Sequence, residues 1–152
     1  MRRPIDEDVA EIYRILSDEK VTRWLSLIPQ PYRPEHAAFF MAHIVPNEWV
    51  WALTLPGSSK MVGAVSLMPR NGLRAAELGF WLSRDHWGRG LMSEAVQLVV
   101  LHGFDNLGLS FITSGYFDGN LYQPAVSMTH VRDSQGDESL NQWRPSSTGG
   151  AY

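Results

Sequence analysis

The chain contains no cysteine. Disulfides, thiolate metal sites and a cysteine nucleophile are therefore excluded, and a reducing compartment suits it. No apolar run approaches the ~20 residues that span a bilayer, and the N-terminal MRRPIDEDVAEIYRIL is too charged for a secretory leader. A basic surplus is also missing. The net charge of -3 removes the broad electrostatic footprint that nucleic acid requires, so an anionic ligand must be held locally by backbone dipoles and one or two arginines. His36, His43, His86, His102 and His130 show no i,i+4 or H-x-x-E-H pairing, so no metal site is expected. A G-x-S-x-G hydrolase elbow is absent. What remains is one domain's length, 152 residues, with an ordinary 44% hydrophobic content. The expectation is a cytoplasmic protein without nucleic-acid or membrane partners.

The hydrophobic pattern predicts alternating helices and strands. Asp6 is placed to cap a helix over Glu7–Leu16 with Val9, Ile12, Tyr13 and Leu16 on its apolar face. A short helix over Glu19–Trp24 follows, then a proline-rich loop over Ile28–Pro34, and Pro34 opens a third helix to about His43. Strands are expected over Trp49–Leu55, Lys60–Met68 and Arg74–Ser83, the last two joined by the hairpin signal Asn71-Gly72. In the third strand Ala76, Leu78, Phe80 and Leu82 share one face, and Glu77, Gly79 and Trp81 the other. A helix after Gly90 buries Leu91, Ala95, Leu98 and Val99 and ends between Gly103 and Gly108; Phe111–Phe117 is a further strand. From Leu121 onward the chain turns rich in Ser, Gln, Gly and Asp. Residues 1–120 are expected to form the domain, and residues 121–152 an atypical, partly disordered tail.

The stretch ELGFWLSRDHWGRGLMSEA, Glu77 to Ala95, carries the strongest chemical signal. Gly88 and Gly90 flank Arg89 at a strand-to-helix junction, where backbone N–H groups at the positive end of a helix converge on one point. Phosphate binds such points. Three readings compete. The glycines could merely ease a tight turn. A dinucleotide fingerprint needs a third glycine where Ser93 stands, and a Walker loop needs Gly-Lys-Ser/Thr.

The third reading is a resemblance. ELGFWL-x4-WGRGLMSEA is similar to motif A of the GNAT acetyltransferase superfamily, in the branch that acetylates ribosomal-protein N-termini and similar amines, with Trp87 in the first loop position and Gly90 as its key glycine. Met92 stands where that family has Gly or Ala. PIDEDVAEIYRILSDEKVTRWL resembles the family's first helices, and GYFDGN resembles the exit of its fifth strand. The resemblance implies an α/β (α+β) fold, a mixed, mostly antiparallel central sheet with helices on both faces, and acetyl-CoA as co-substrate with no metal. It implies backbone contacts to pantetheine near Trp81 and Leu82, and pyrophosphate contacts from Trp87, Gly88, Arg89, Gly90, Leu91, Met92 and Ser93. Asn120 would bond the pantetheine.

The implied activity is acetyl transfer to a primary amine, a protein N-terminus or a small molecule, by direct attack in a ternary complex. The amine must lose a proton, the oxyanion needs a donor and the departing thiolate needs a proton. Glu77 is the candidate base and Tyr122 the candidate acid. Each has a plain alternative: a strand carboxylate paired with an arginine such as Arg74, and an aromatic anchor on the sheet. Trp49 and Trp51 share a strand face that could border the acceptor pocket. After GYFDGN the family pattern fades: Gln123 occupies its serine position, Pro124 interrupts the next helix, and its last strands have no visible counterpart. The expectation is a truncated or frame-shifted C-terminus, with an open edge on the last strand that invites pairing with a second copy. A catalytically impaired acyl-CoA-binding remnant, or a purely structural domain, are the alternatives from other functional classes.

Overall fold

The computed structural model describes residues 1–25, 28–70, 74–114 and, as backbone, 127–129. A tight helical turn, Asp6–Asp8, leads into α1 (Val9–Leu16). The cap is not made by Asp6. Asp8 accepts the Ile5 N–H at 2.9 Å and receives both Nη atoms of Arg2 at 2.7 Å, so the carboxylate that organises this corner is the buried one. Helices α2 (Glu19–Thr22) and α3 (Pro34–Phe39) follow, the latter continuing into a wider turn over Phe40–Ile44. Proline suits the first turn of α3 because its missing N–H has no intrahelical acceptor there.

Among the described residues, five strands form one sheet in chain order: β1 (Trp49–Thr54), β2 (Met61–Arg70), β3 (Ala75–Leu82), β4 (Phe111–Thr113) and β5 (Ser127–Thr129). Only β3 and β4 run parallel; the other neighbouring pairs are antiparallel. The β2–β3 ladder runs to Arg70↔Ala75, consistent with the Asn71-Gly72 hairpin, whose own residues lie outside the described ones. A single bridge between Arg2 and Ala52 extends the sheet beyond β1. Helix α4 (Leu91–Asp105) makes the crossover between β3 and β4.

The core has two halves, one on each face of the sheet. Ile12, Ile15 and Leu16 of α1 and Ala37 of α3 pack with Val50, Ala52, Ala64 and Trp81. Ala95, Val99, Val100 and Phe104 of α4 pack with Val65, Leu67, Leu78 and Ile112 on the opposite face. The alternation read in β3 holds: Ala76, Leu78 and Leu82 join the α4 side and Trp81 the α1 side.

Three expectations change. Leu98 is 53% exposed, and Val100 and Phe104 fill the place expected for it. Helix α4 is apolar around much of its circumference, so periodicity alone does not choose its face; contact with β2 and β4 does, and Gly103 marks the close approach, since a Cβ there would lie 3.0 Å from Leu67 and Ile112. Trp49 and Trp51 pack on the α4 side, Trp51 edge-on to His102 at 5.6 Å, because the same alternation gives Val50 and Ala52 to α1. Finally, the C-terminal strands are not all missing. Ser127–Thr129 pairs antiparallel with the whole of β4, from Phe111↔Thr129 to Thr113↔Ser127, so the edge expected to be open is occupied. The alternation in VSMTHV was the available signal.

Candidate active site

The end of β3 builds the site. Ser83 leaves the strand with its N–H on the Val62 carbonyl at 2.8 Å, and a tight turn over Arg84–His86 carries the chain to Trp87. Gly88 and Gly90 then adopt left-handed conformations, with φ of 72° and 74°. A side chain at either would meet no atom within 4 Å, so what requires glycine is the backbone conformation and not the space. Gly90 is the N-cap of α4 and no side chain caps the helix. The first-turn N–H groups of a helix have no intrahelical acceptor, and those of α4 open with Gly88 and Gly90 onto a cleft of about 580 Å³.

One wall of that cleft is Phe80, Trp81 and Leu82; its end is Gly88, Gly90 and the first turn of α4, including Leu91, Met92 and Ser93. Trp87 is 44% exposed, and its indole N–H donates to the Leu82 carbonyl at 2.9 Å. Arg89 is exposed between the two glycines. Met92 lines the cleft and is half-buried against the α4 core.

Hydrogen-bond alternation determines which backbone groups of β3 are available. Ser83 bonds toward β2, and Ser114 on the β4 side donates its hydroxyl to the Leu78 carbonyl at 3.3 Å. Successive residues of a strand direct their N–H and C=O to opposite edges. Gly79 and Trp81 therefore direct theirs to β2, whereas Phe80 and Leu82 face the β4 side. The β3–β4 ladder stops at Glu77↔Thr113, which leaves Phe80 and the Leu82 N–H without a strand partner among the described residues. Trp81 lines the cleft and directs its backbone groups to β2, whereas Phe80 and the Leu82 N–H lie on the open edge of β3.

Glu77 shares the α1 face with Trp81 but lies four positions away, about 13 Å along a strand, and is not in the cleft lining. Its carboxylate pairs with Arg70 on β2, while Arg74, the expected partner, donates to the Gly108 carbonyl at 2.7 Å. Asn120 and Tyr122 lie outside the described residues. Among the described residues no group of three or more His, Asp or Glu side chains could hold a metal, and no helix is long and apolar enough to cross a membrane.

Trp24, a tryptophan expected in the core or a cleft wall, lines the cleft together with Leu25 and with Val21 of α2, which the sequence reading did not single out. Asp18 joins the two sides: one carboxylate oxygen caps α2 through the Lys20 N–H at 2.9 Å, and the other pairs with Arg84 at 3.4 Å. His86 also lines the cleft, and its buried Nδ1 has no hydrogen-bond partner among the described residues.

Residues 1–128 match the model of the acetyltransferase (GNAT) domain family. The chain belongs to that family. The N-acetyltransferase YoaA of Bacillus subtilis is 27% identical over 127 residues, covering 79% of this chain and 71% of the relative. YjcK of the same organism is 36% identical over 77 residues, 49% of this chain and 42% of its own length, so this chain spans less than half of YjcK. An acetyltransferase of the GNAT family from Bacillus anthracis superposes with a TM-score of 0.66 at 21% identity, over 74% of this chain and 66% of that one, a likeness of fold.

Proposed function

We propose that this domain is an acetyl-CoA-dependent N-acetyltransferase that transfers acetyl to a primary amine by direct attack in a ternary complex. The observation that carries the reading is the pair of left-handed glycines delivering an uncapped helix N-terminus to the end of an apolar cleft. That geometry suits a ligand with a diphosphate at one end and a less polar arm beyond it.

In this reading the N–H groups from Gly88 to Ser93 hold the pyrophosphate, with Arg89 adding a charge-assisted contact. Phe80 and Leu82 offer the free edge of β3 to the pantetheine amides, and Asn120 bonds the pantetheine as in the family pattern. Acetyl-CoA supplies an activated thioester. The chain's own tasks are to position it and to manage protons. Glu77, on the acceptor face, takes the amine's proton through water, given its distance from the cleft. The amine nitrogen then bonds the acetyl carbon, the C–S bond breaks, and the thiolate takes a proton from Tyr122. The acceptor is a primary amine, either a protein N-terminus, as in the ribosomal-protein branch, or a small molecule.

The test is thiol release by the purified chain from acetyl-CoA across a panel of primary amines and N-terminal peptides. Release that rises with amine concentration and saturates supports the reading. Release that is independent of every amine rejects it.

A further inference from the structure

The cleft carries no fixed charge on its walls and has unspent cations at its rim. Among the described residues no lysine, arginine, aspartate or glutamate lines it. Elsewhere the basic side chains are committed: they pair with carboxylates or, like Arg3 and Arg74, donate to main-chain carbonyls. Among the described residues Lys20, Arg23 and Arg89 have neither kind of partner. All of them adjoin the cleft. Arg89 stands between the two glycines, and Lys20 and Arg23 stand beside Val21 and Trp24, which line it.

The placement of Arg23 is specific. Its guanidinium lies over the ring of Trp24, 5.0 Å from the ring centre, so a cleft-lining side chain holds the charge at the rim. Glu19 precedes it by four positions, the spacing at which a helical arginine commonly finds a carboxylate, yet the two do not pair. None of the guanidinium N–H donors is committed to a described residue. Lys20 lies three positions earlier, on the same side of α2. The glycine loop is close by: Asp18, which caps α2, reaches Arg84 in the turn that leads into that loop at 3.4 Å. An anion held on the loop is therefore within reach of side chains from the α2 segment.

We propose that Arg23, supported by Lys20, receives the 3′-phosphate of the coenzyme's adenosine, so that the α2 segment selects CoA thioesters over their dephospho counterparts. This rests on the coenzyme reading of the cleft and deepens it. In that reading the diphosphate sits on the loop from Gly88 to Ser93 and the pantetheine runs along the edge of β3. The adenosine end leaves the diphosphate in the other direction, and only the ribose separates its phosphomonoester from the loop. The neutral lining offers that dianion no counter-charge. A guanidinium with free donors supplies charge-assisted hydrogen bonds to phosphate oxygens.

The experiment measures by calorimetry the Kd of CoA and of dephospho-CoA for the wild-type chain, Arg23→Gln and Arg89→Gln. The wild type binds CoA at least about tenfold more tightly, as one charge-assisted contact implies. Arg23→Gln removes most of that preference by weakening CoA and leaving dephospho-CoA unchanged, and Lys20→Gln gives a smaller loss of the same kind. Arg89→Gln, at the diphosphate, weakens both ligands alike. Arg23 is exposed, so its variant keeps the fold, which a melting curve checks; Arg23→Lys, which keeps the charge, retains part of the preference. Equal wild-type affinity for the two ligands, or a preference that persists in Arg23→Gln, overturns the proposal and leaves the coenzyme reading standing. An equal loss for both ligands in Arg23→Gln also overturns it, since the arginine would then only support Trp24. A folded chain that binds neither ligand rejects the coenzyme reading and this inference together.

Discussion

The indole N–H of Trp87 donates to the carbonyl of Leu82 across 2.9 Å, closing the loop from β3 to α4 back onto the strand it leaves. The bond ties the two halves of the proposed coenzyme site together: the strand edge beside Phe80 and the glycine loop beyond Trp87. Trp87→Phe keeps a ring and removes the donor. The expected result is acetyl-CoA affinity weakened by about tenfold, as one lost hydrogen bond and a looser loop imply, with little change in melting temperature. Calorimetric titration of both proteins checks it.

Gly90→Ala tests the loop from its other end. The space around Gly90 is open, so the cost is purely conformational, about 1–2 kcal/mol for a left-handed residue with a Cβ. Relaxing that strain re-aims the first turn of α4. Acetyl-CoA binding is expected to fall far more than stability does, seen as a large loss of affinity with a melting temperature only a few degrees lower.

Much of this site was legible in the residues, because a strand, two glycines and a helix start are local features. Less legible were the parts that depend on chain segments far apart. Arg2 selects Asp8 over Asp6 as the organising carboxylate, and Ser59 adds its carbonyl to the same guanidinium at 2.8 Å. The antiparallel register brings Arg70 to Glu77 while the β4 approach draws Arg74 to Gly108. Val21, Trp24 and Leu25 fall in the segment that resembles the family's first helices, but nothing local marks them as cleft lining; that follows from the docking of α2. The side of the sheet that each tryptophan of β1 occupies likewise awaits the packing of α1 and α4.

Asp8 anchors the first helix to the sheet. Burial alone would raise its carboxyl, but the hydrogen bonds from Arg2 and the Ile5 N–H, with the charge of Arg2, hold it below its ordinary value of 3.8. A carboxyl whose folded pKa is depressed contributes stability that is present above the unfolded pKa and lost as pH falls through the folded one. The contribution is thus complete at neutral pH and fades below about pH 4. Asp8→Asn is expected to cost about 3 kcal/mol at pH 7, the low end for a broken ion pair because the Arg2 side chain keeps 28% of its surface. The difference from wild type should shrink toward acid pH, as read by urea unfolding at several pH values.

Glu77→Gln separates proton transfer from binding. The expected outcome is kcat lowered by about a hundredfold or more with acetyl-CoA affinity unchanged, since general-base assistance is commonly worth that much. The lost activity should partly return at high pH, where the amine loses its proton unaided. A melting curve controls for the missing ion pair with Arg70, a half-exposed contact expected to contribute little to stability. Unchanged kcat would remove Glu77 from the mechanism.

The central claim is that the loop from Gly88 to Ser93 binds the coenzyme. Its most direct measurement is a calorimetric titration of acetyl-CoA into the 152-residue chain and into Gly90→Ala. Saturable binding near one per chain, abolished or greatly weakened in the variant, is the predicted result. A folded wild-type chain that takes up no acetyl-CoA, or a Gly90→Ala protein that binds it as tightly as wild type, would contradict the account.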